Sequence, residues 1–182
     1  MAKARAIPDL SADEPMTVGA AQILAVRTEE LREHSHDVLD TDDIERVHDM
    51  RVATRRLRAA LEVFEACFPD DLHGSLLADV KELADALGER RDRDVAIDSL
   101  REFAGKLPAP DRRGVESLVE ALGLEQAEAN RALGPYVTTE RVESLCERLR
   151  ELTAEARAAA PGPGGDEELA RGSSGNGAGT LR

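Results

Sequence analysis

Tryptophan is absent from the chain, tyrosine occurs once and phenylalanine three times, so aromatic residues make up only 2 % of its 182 positions. A core cannot be assembled from large rings, and leucine, valine and alanine on helices have to fill it. Only two cysteines are present, Cys67 and Cys146, far apart and without a CxxC or other metal-type spacing. This excludes a disulfide framework, and their partly apolar helical surroundings read as reduced core thiols. No run approaches the roughly 18 apolar residues needed to span a bilayer. The opening stretch MAKARAIPDLSADEP also lacks the apolar centre of a signal peptide, so the expected location is the cytoplasm. Positive charge is short as well: 24 Lys and Arg stand against 37 Asp and Glu, for a formal net charge of −13. General nucleic-acid binders and membrane-surface proteins need long-range positive potential, so both classes are excluded and any anion site has to be local.

What remains is a length suited to one domain, an apolar fraction of 41 % and helical spacing over most of the chain. Residues 1–14 are polar and mixed, and are expected to form a flexible lead closed by Pro15. Between 16 and 38, Ile23, Val26, Leu31 and Val38 fall near one side, predicting a first helix that stops near Asp40. Thr41, Asp42 and Asp43 offer cap oxygens, with Asp42 and Glu45 spaced as a capping box for a second helix. Val47, Met50, Thr54, Leu57, Leu61, Phe64 and Phe68 then hold a 3-4 spacing up to Pro69, the clearest periodicity in the chain. A third helix is predicted over about 72–104 through Leu76, Val80, Leu83 and Leu87, with Gly88 as a place for a kink. Pro108 and Pro110 end it, and a fourth covers about 111–133 with Val115, Leu118, Leu122 and Ala129. A fifth, capped by Thr139, carries Val142, Leu145, Leu149, Leu152 and Ala156. The bundle is therefore expected over 15–159, and the Gly, Pro and Ser of residues 160–182 predict a disordered tail. Long helices joined by short breaks, with no strand signal, predict an all-α up-and-down bundle.

The chemistry concentrates on the second helix. His48, Arg51, Arg55 and Arg58 recur at steps of three and four, on an edge about 110° round from the Val47, Leu57 and Leu61 stripe at about 100° per residue. That edge flanks the core and faces the mouth of a groove between helices. Like charges at this spacing repel, so the ladder needs anionic company. One reading supplies it internally, from Glu62, Asp49 and carboxylates of neighbouring helices, leaving a solvated ion-paired face. The other supplies a phosphate chain, which suits the planar fork of arginine. On the third helix, Arg91 and Asp94 continue the Leu83 and Leu87 side, and Asp94 is expected to orient Arg91 or His48. Lys81, Arg90 and Arg93 are weaker candidates, and Arg56 is expected at the solvent or the rim. His34 and His36 fall on different helix sides and make no helical metal pair, while His73 reads as a cap or surface residue. No nucleophile with its base, Gly-rich phosphate loop or paired acids can be found, so no enzyme, cofactor or metal site is expected.

The run IERVHDMRVATRRLRAALEVF followed by LADALGERRDRDV closely resembles the CHAD family, the conserved-histidine α-helical domain. The residues carrying the likeness are His48, Arg51, Arg55, Arg56 and Arg58, then Leu87, Gly88, Arg91, Asp92, Asp94 and Val95. The resemblance implies a non-catalytic helical module, found in bacteria, whose basic groove binds inorganic polyphosphate. On the positions that match, it places His48, Arg51, Arg55, Arg56, Arg58 and Arg91 against phosphate; Lys81 and Arg90 join the expected polyphosphate-binding set from the third-helix candidates, Asp94 stays an orienting group, and the expected location extends to polyphosphate granules. Complete members have two similar helical units. Here the first four helices resemble the first unit, residues 139–158 resemble the opening helix of the second, and its basic helix is missing. Weak binding by a half-walled groove and a homodimer that completes it are both open. The rival reading is an interaction module whose arginine face pairs with an acidic partner helix.

Overall fold

The computed structural model describes residues 3–8 and 10–160, and among them there is no strand. Five α-helices follow one another: α1 (Met16–Glu33), α2 (Ile44–Val63), α3 (Asp70–Lys106), α4 (Ala109–Leu133) and α5 (Thr139–Ala159). Short 3-10 turns at Glu65–Cys67 and Gly134–Tyr136 lead out of α2 and α4. The expected all-α bundle is thus what the chain forms. The Gly/Pro/Ser-rich tail expected over 160–182 lies, from residue 161 on, outside the described residues.

Helix ends are set by local hydrogen bonds that shift several of the expected boundaries. α1 stops at Glu33, short of Asp40, because the Ser35 hydroxyl donates to the Arg32 carbonyl (2.8 Å) and Asp37 turns left-handed at φ 53°. An Asp side chain tolerates that region better than most. The cap of α2 is Asp43, one residue later than Asp42, and accepts from the Glu45 N–H at 3.3 Å. The Asp42 backbone N–H donates to Asp40 Oδ1 in the turn that precedes the helix. α5 is likewise capped one residue away from the expected Thr139, by Thr138, whose hydroxyl accepts from the Arg141 N–H. Phe68 lies beyond α2, yet it is buried against the core. α3 is helical without a break through Gly88 and, at 37 residues, extends about 55 Å.

Packing decides which helices close round the core. α1 lies against α2 and α5, α2 against α3, and α3 against α5, so these four make a ring. Leu24, Leu31, Val47, Met50, Leu57, Leu61, Leu76, Leu87, Leu149 and Leu152 fill it. Thr54, the polar member of the α2 stripe, is tolerated there because its hydroxyl donates to the Met50 carbonyl at 2.8 Å. The helix read from sequence as a further one, α5, is therefore a full wall of the bundle. α4 is an arm laid along the C-terminal half of α3: it buries only Leu133, and Leu118, expected in a core stripe, is 49 % exposed. A helix that packs chiefly on one neighbour needs only a narrow apolar face.

Ion pairs fasten the outer seams. Asp79 on α3 accepts from both Arg141 and Arg148 of α5, and Glu29 on α1 accepts from Arg150 of α5 at 2.8 Å. The Arg150 and Arg32 hydrogen bonds hold the Glu29 carboxyl below its ordinary range, against the effect of burial. In the lead, the Arg5 N–H donates to the buried Glu30 of α1. His73 is buried, not a surface residue: its Nε2–H donates to the Leu61 carbonyl at 3.0 Å and its ring stacks on Phe68. Both cysteines are free and buried, as expected. Burial pushes the Cys146 thiol up to about 11. At pH 8 Cys146 should therefore react with a thiol-specific disulfide reagent about a hundredfold more slowly in the folded protein than after denaturation, because the thiolate is the nucleophile. Peptide-resolved mass spectrometry of timed samples checks this, and equal rates in the two states would contradict it.

Candidate functional site

The 3-4 stripe that buries α2 leaves the adjoining edge, residues 51, 55 and 58, turned toward α3. There Arg51, Arg55 and Arg58 form one wall of an open cleft of about 470 Å³. The α3 side is lined by Ala84, Asp85, Gly88, Glu89 and Asp92. Ala84 and Gly88 keep the space open by being small: a Cβ added at Gly88 would meet nothing within 4 Å.

The three arginines are not equivalent. The Arg58 Nε donates to Glu62 Oε1 at 2.9 Å, one turn along the same helix, and Lys81 of α3 places its Nζ 3.7 Å from that oxygen. Arg58, chiefly through this hydrogen bond, holds the Glu62 carboxyl below its ordinary range. Internal pairing thus claims Arg58, as one of the two sequence readings supposed. No hydrogen bond or ion pair joins Arg51 or Arg55 to another described residue. They are the uncommitted cations of the cleft. Across it, Glu89 is held by Arg93 on its own helix, whereas Asp85 and Asp92 have no such bond to a described residue.

Other expected members of the site lie elsewhere. Arg90 cannot touch a solvent-borne phosphate: it is fully buried, with its Nη1 donating to Asp94 Oδ2. Asp94 Oδ1 accepts from Gln126 Nε2 of α4 at 2.6 Å, so Asp94 orients Arg90 and Gln126, and neither Arg91 nor His48. The heptad phase carried this information, because Leu76, Val80, Leu83, Leu87, Arg90, Asp94 and Ile97 keep a 4-3 spacing and are all buried. Arg91 sits beside that stripe and straps α3 to the start of α2, donating to the Ile44 carbonyl at 3.0 Å and to Glu45 at 3.4 Å. Arg56 points to α1, 3.9 Å from the Glu30 carboxylate that Arg27 also approaches, and is neither rim nor wall of the cleft.

His48 is half-buried on the same helix edge, one turn before Arg51, and does not line the cleft. Ligand-type atoms of Glu45, His48 and Asp49 lie within 4.8 Å of one another, a group able to hold a metal, with Glu45 already engaged by Arg91. His34 and His36 follow the end of α1. Sequence reading named Gly88 and Asp92 of the α3 wall only as carriers of the family resemblance and passed over Asp85 and Glu89. Asp85, Glu89 and Asp92 repeat at four and three residues, the same signal that marked the arginines, with the opposite sign.

An open slot with two guanidinium groups four residues apart, neither paired with another described residue, can take an extended anion by charge-assisted hydrogen bonds. Among the described residues no helix is long and apolar enough to cross a membrane. No curated protein matches the chain. The family model of the CHAD domain matches residues 22–174, which include all five helices but the first turns of α1. With nearly all of its bundle, its arginine edge and its LG-x-x-RD-x-D-V segment inside that match, the chain belongs to the CHAD family.

Proposed function

We propose that the chain is a non-catalytic module that binds inorganic polyphosphate along the arginine wall of the α2–α3 cleft. The observation that carries this is that Arg51 and Arg55 have no partner among the described residues, on a wall that solvent reaches. Two guanidinium groups one turn apart repel each other, and an anion laid beside both removes that repulsion while taking bidentate hydrogen bonds. Arg58 joins the path by exchanging its Glu62 contact for phosphate, with Lys81 at the same end and His48 beyond the other. Arg91, Arg56 and Arg90 have no part in it. The setting that goes with this reading is the cytoplasm and its polyphosphate granules. A formal charge of −13 on the whole chain means that attraction is confined to the cleft, so binding depends on a few close contacts.

Three such contacts predict a salt dependence set by counterion release, at a slope of about −0.7 per phosphate contact for a single chain. Raising monovalent salt from about 50 to about 200 mM should weaken polyphosphate binding roughly tenfold to thirtyfold. Titration of end-labelled polyphosphate at the two salt concentrations measures it. Binding that ignores salt, or none at the lower concentration, would remove the proposal.

A further inference from the structure

Asp85 and Asp92 stand on the α3 wall of the cleft that Arg51 and Arg55 line from α2. All four charges are without a hydrogen bond or ion pair to another described residue. In this structure neither arginine turns to the opposite wall, and the two signs stand unpaired on the two sides of the cleft, with Ala84 and Gly88 between the acidic residues and open space beside Gly88. The lining holds three guanidinium groups and three carboxylates, which leaves the cleft neutral as a whole.

A neutral slot with separated charges acts differently from a basic groove. It draws no polyanion from a distance. Attraction exists only close to α2, and any phosphate displaced toward α3 meets repulsion. A slim chain can follow α2 with water and salt between itself and the aspartates, which weakens the repulsion from them. A nucleic-acid duplex carries charge on both sides of a wide body, so it lays phosphates against both walls. We infer that Asp85 and Asp92 are specificity-determining residues, which keep the far wall negative and so admit a single-file phosphate chain while rejecting broad polyanions. Selectivity of this kind comes from a built-in repulsive element and not from a better attractive one. Glu89 contributes less, since Arg93 already offsets its charge. The inference rests on the polyphosphate reading above and narrows the ligand it admits.

The experiment compares labelled polyphosphate with a short DNA duplex, by fluorescence anisotropy at low salt, for three proteins. These are the wild type, Asp85→Asn/Asp92→Asn, and Glu116→Gln/Glu120→Gln, which removes the same charge from exposed positions of α4. In the aspartate variant, duplex binding should tighten about tenfold or more and polyphosphate binding about threefold or less, narrowing the ratio between them. The α4 variant should keep the wild-type ratio within about twofold, because its charges lie outside the cleft. An unchanged ratio, no measurable duplex binding by the aspartate variant, or equal narrowing in the α4 variant overturns the inference. So does weaker polyphosphate binding, which would make the aspartates positioning groups for the arginines. A wild type that binds no polyphosphate removes the underlying reading instead, so the two failures are told apart.

Discussion

Arg51→Ala/Arg55→Ala should weaken polyphosphate binding by about a hundredfold or more while leaving the helical content and melting temperature of the protein in place. A hydrogen bond to a charged partner contributes about 1.5–3 kcal/mol, so losing two such residues removes roughly 3–6 kcal/mol of binding. At about 1.4 kcal/mol per factor of ten, that spans two to four decades of affinity. Stability is expected to hold because neither guanidinium has a partner within the described protein, so no buried acid is orphaned. Relief of repulsion along the 51, 55, 58 edge adds a few tenths of a kcal/mol in the favourable direction. Arg58→Ala should have a smaller effect: Arg58 must first leave Glu62, and its removal also frees that carboxylate beside the path. Arg56→Ala should leave affinity within about twofold, since its side chain faces Glu30 of α1. Titration calorimetry on the variants, with circular dichroism as the folding check, measures all of these. Wild-type affinity in the double variant would sink the site assignment.

The bundle was legible because apolar spacing on α2, α3 and α5 is regular, and the residues it marks, from Val47 to Leu61 and from Leu76 to Leu87, are the ones that become buried. Helix ends were less so, since a hydroxyl such as Ser35 or Thr138 decides them by one hydrogen bond, and its neighbours look equally suitable in sequence. The role of α4 was hidden for another reason. Amphipathic spacing shows that a helix has an apolar side, but not how many neighbours cover it, and α4 packs chiefly on α3. At the cleft, the edge carrying Arg51, Arg55 and Arg58 was readable from steps of three and four. Which of them is free was not, because that depends on Glu62 reaching Arg58 and on no acid of α3 reaching the other two. A strongly basic motif also drew attention from the equally regular Asp85, Glu89 and Asp92.

Asp94→Ala should be the most destabilising single substitution on α3, lowering stability by about 3–5 kcal/mol, as breaking a buried ion pair does. The pair sits where α2, α3 and α4 converge, with Arg90 and Asp94 both fully buried and Gln126 donating to the second carboxylate oxygen. Removing Asp94 leaves a guanidinium sealed from water with no counter-charge, and leaves the Gln126 amide without its acceptor. For a domain of this size, melting should fall by roughly 6–20 °C. The pair is nevertheless poorly satisfied: Arg90 Nε and Nη2 are buried and have no partner. Burial pushes the Asp94 carboxyl above its ordinary range and the Arg90 guanidinium below its own, so desolvation outweighs their mutual attraction. Arg90→Met/Asp94→Leu, which removes both charges and the unpaired N–H groups together, should therefore melt within a few degrees of the wild type or above it. Arg90→Met alone provides the pH test. Without Arg90, one of the groups that favour the ionised form of Asp94 is gone, so its folded pKa rises further above the unfolded value of 3.8. A carboxyl raised in the folded state contributes its stability fully below the unfolded pKa and loses it as pH rises through the folded one. The deficit of Arg90→Met should accordingly grow from about pH 4 to about pH 7.5, which thermal melts at the two values will read. A double variant as unstable as Asp94→Ala would show that the pair, despite its unpaired N–H groups, is a net source of stability.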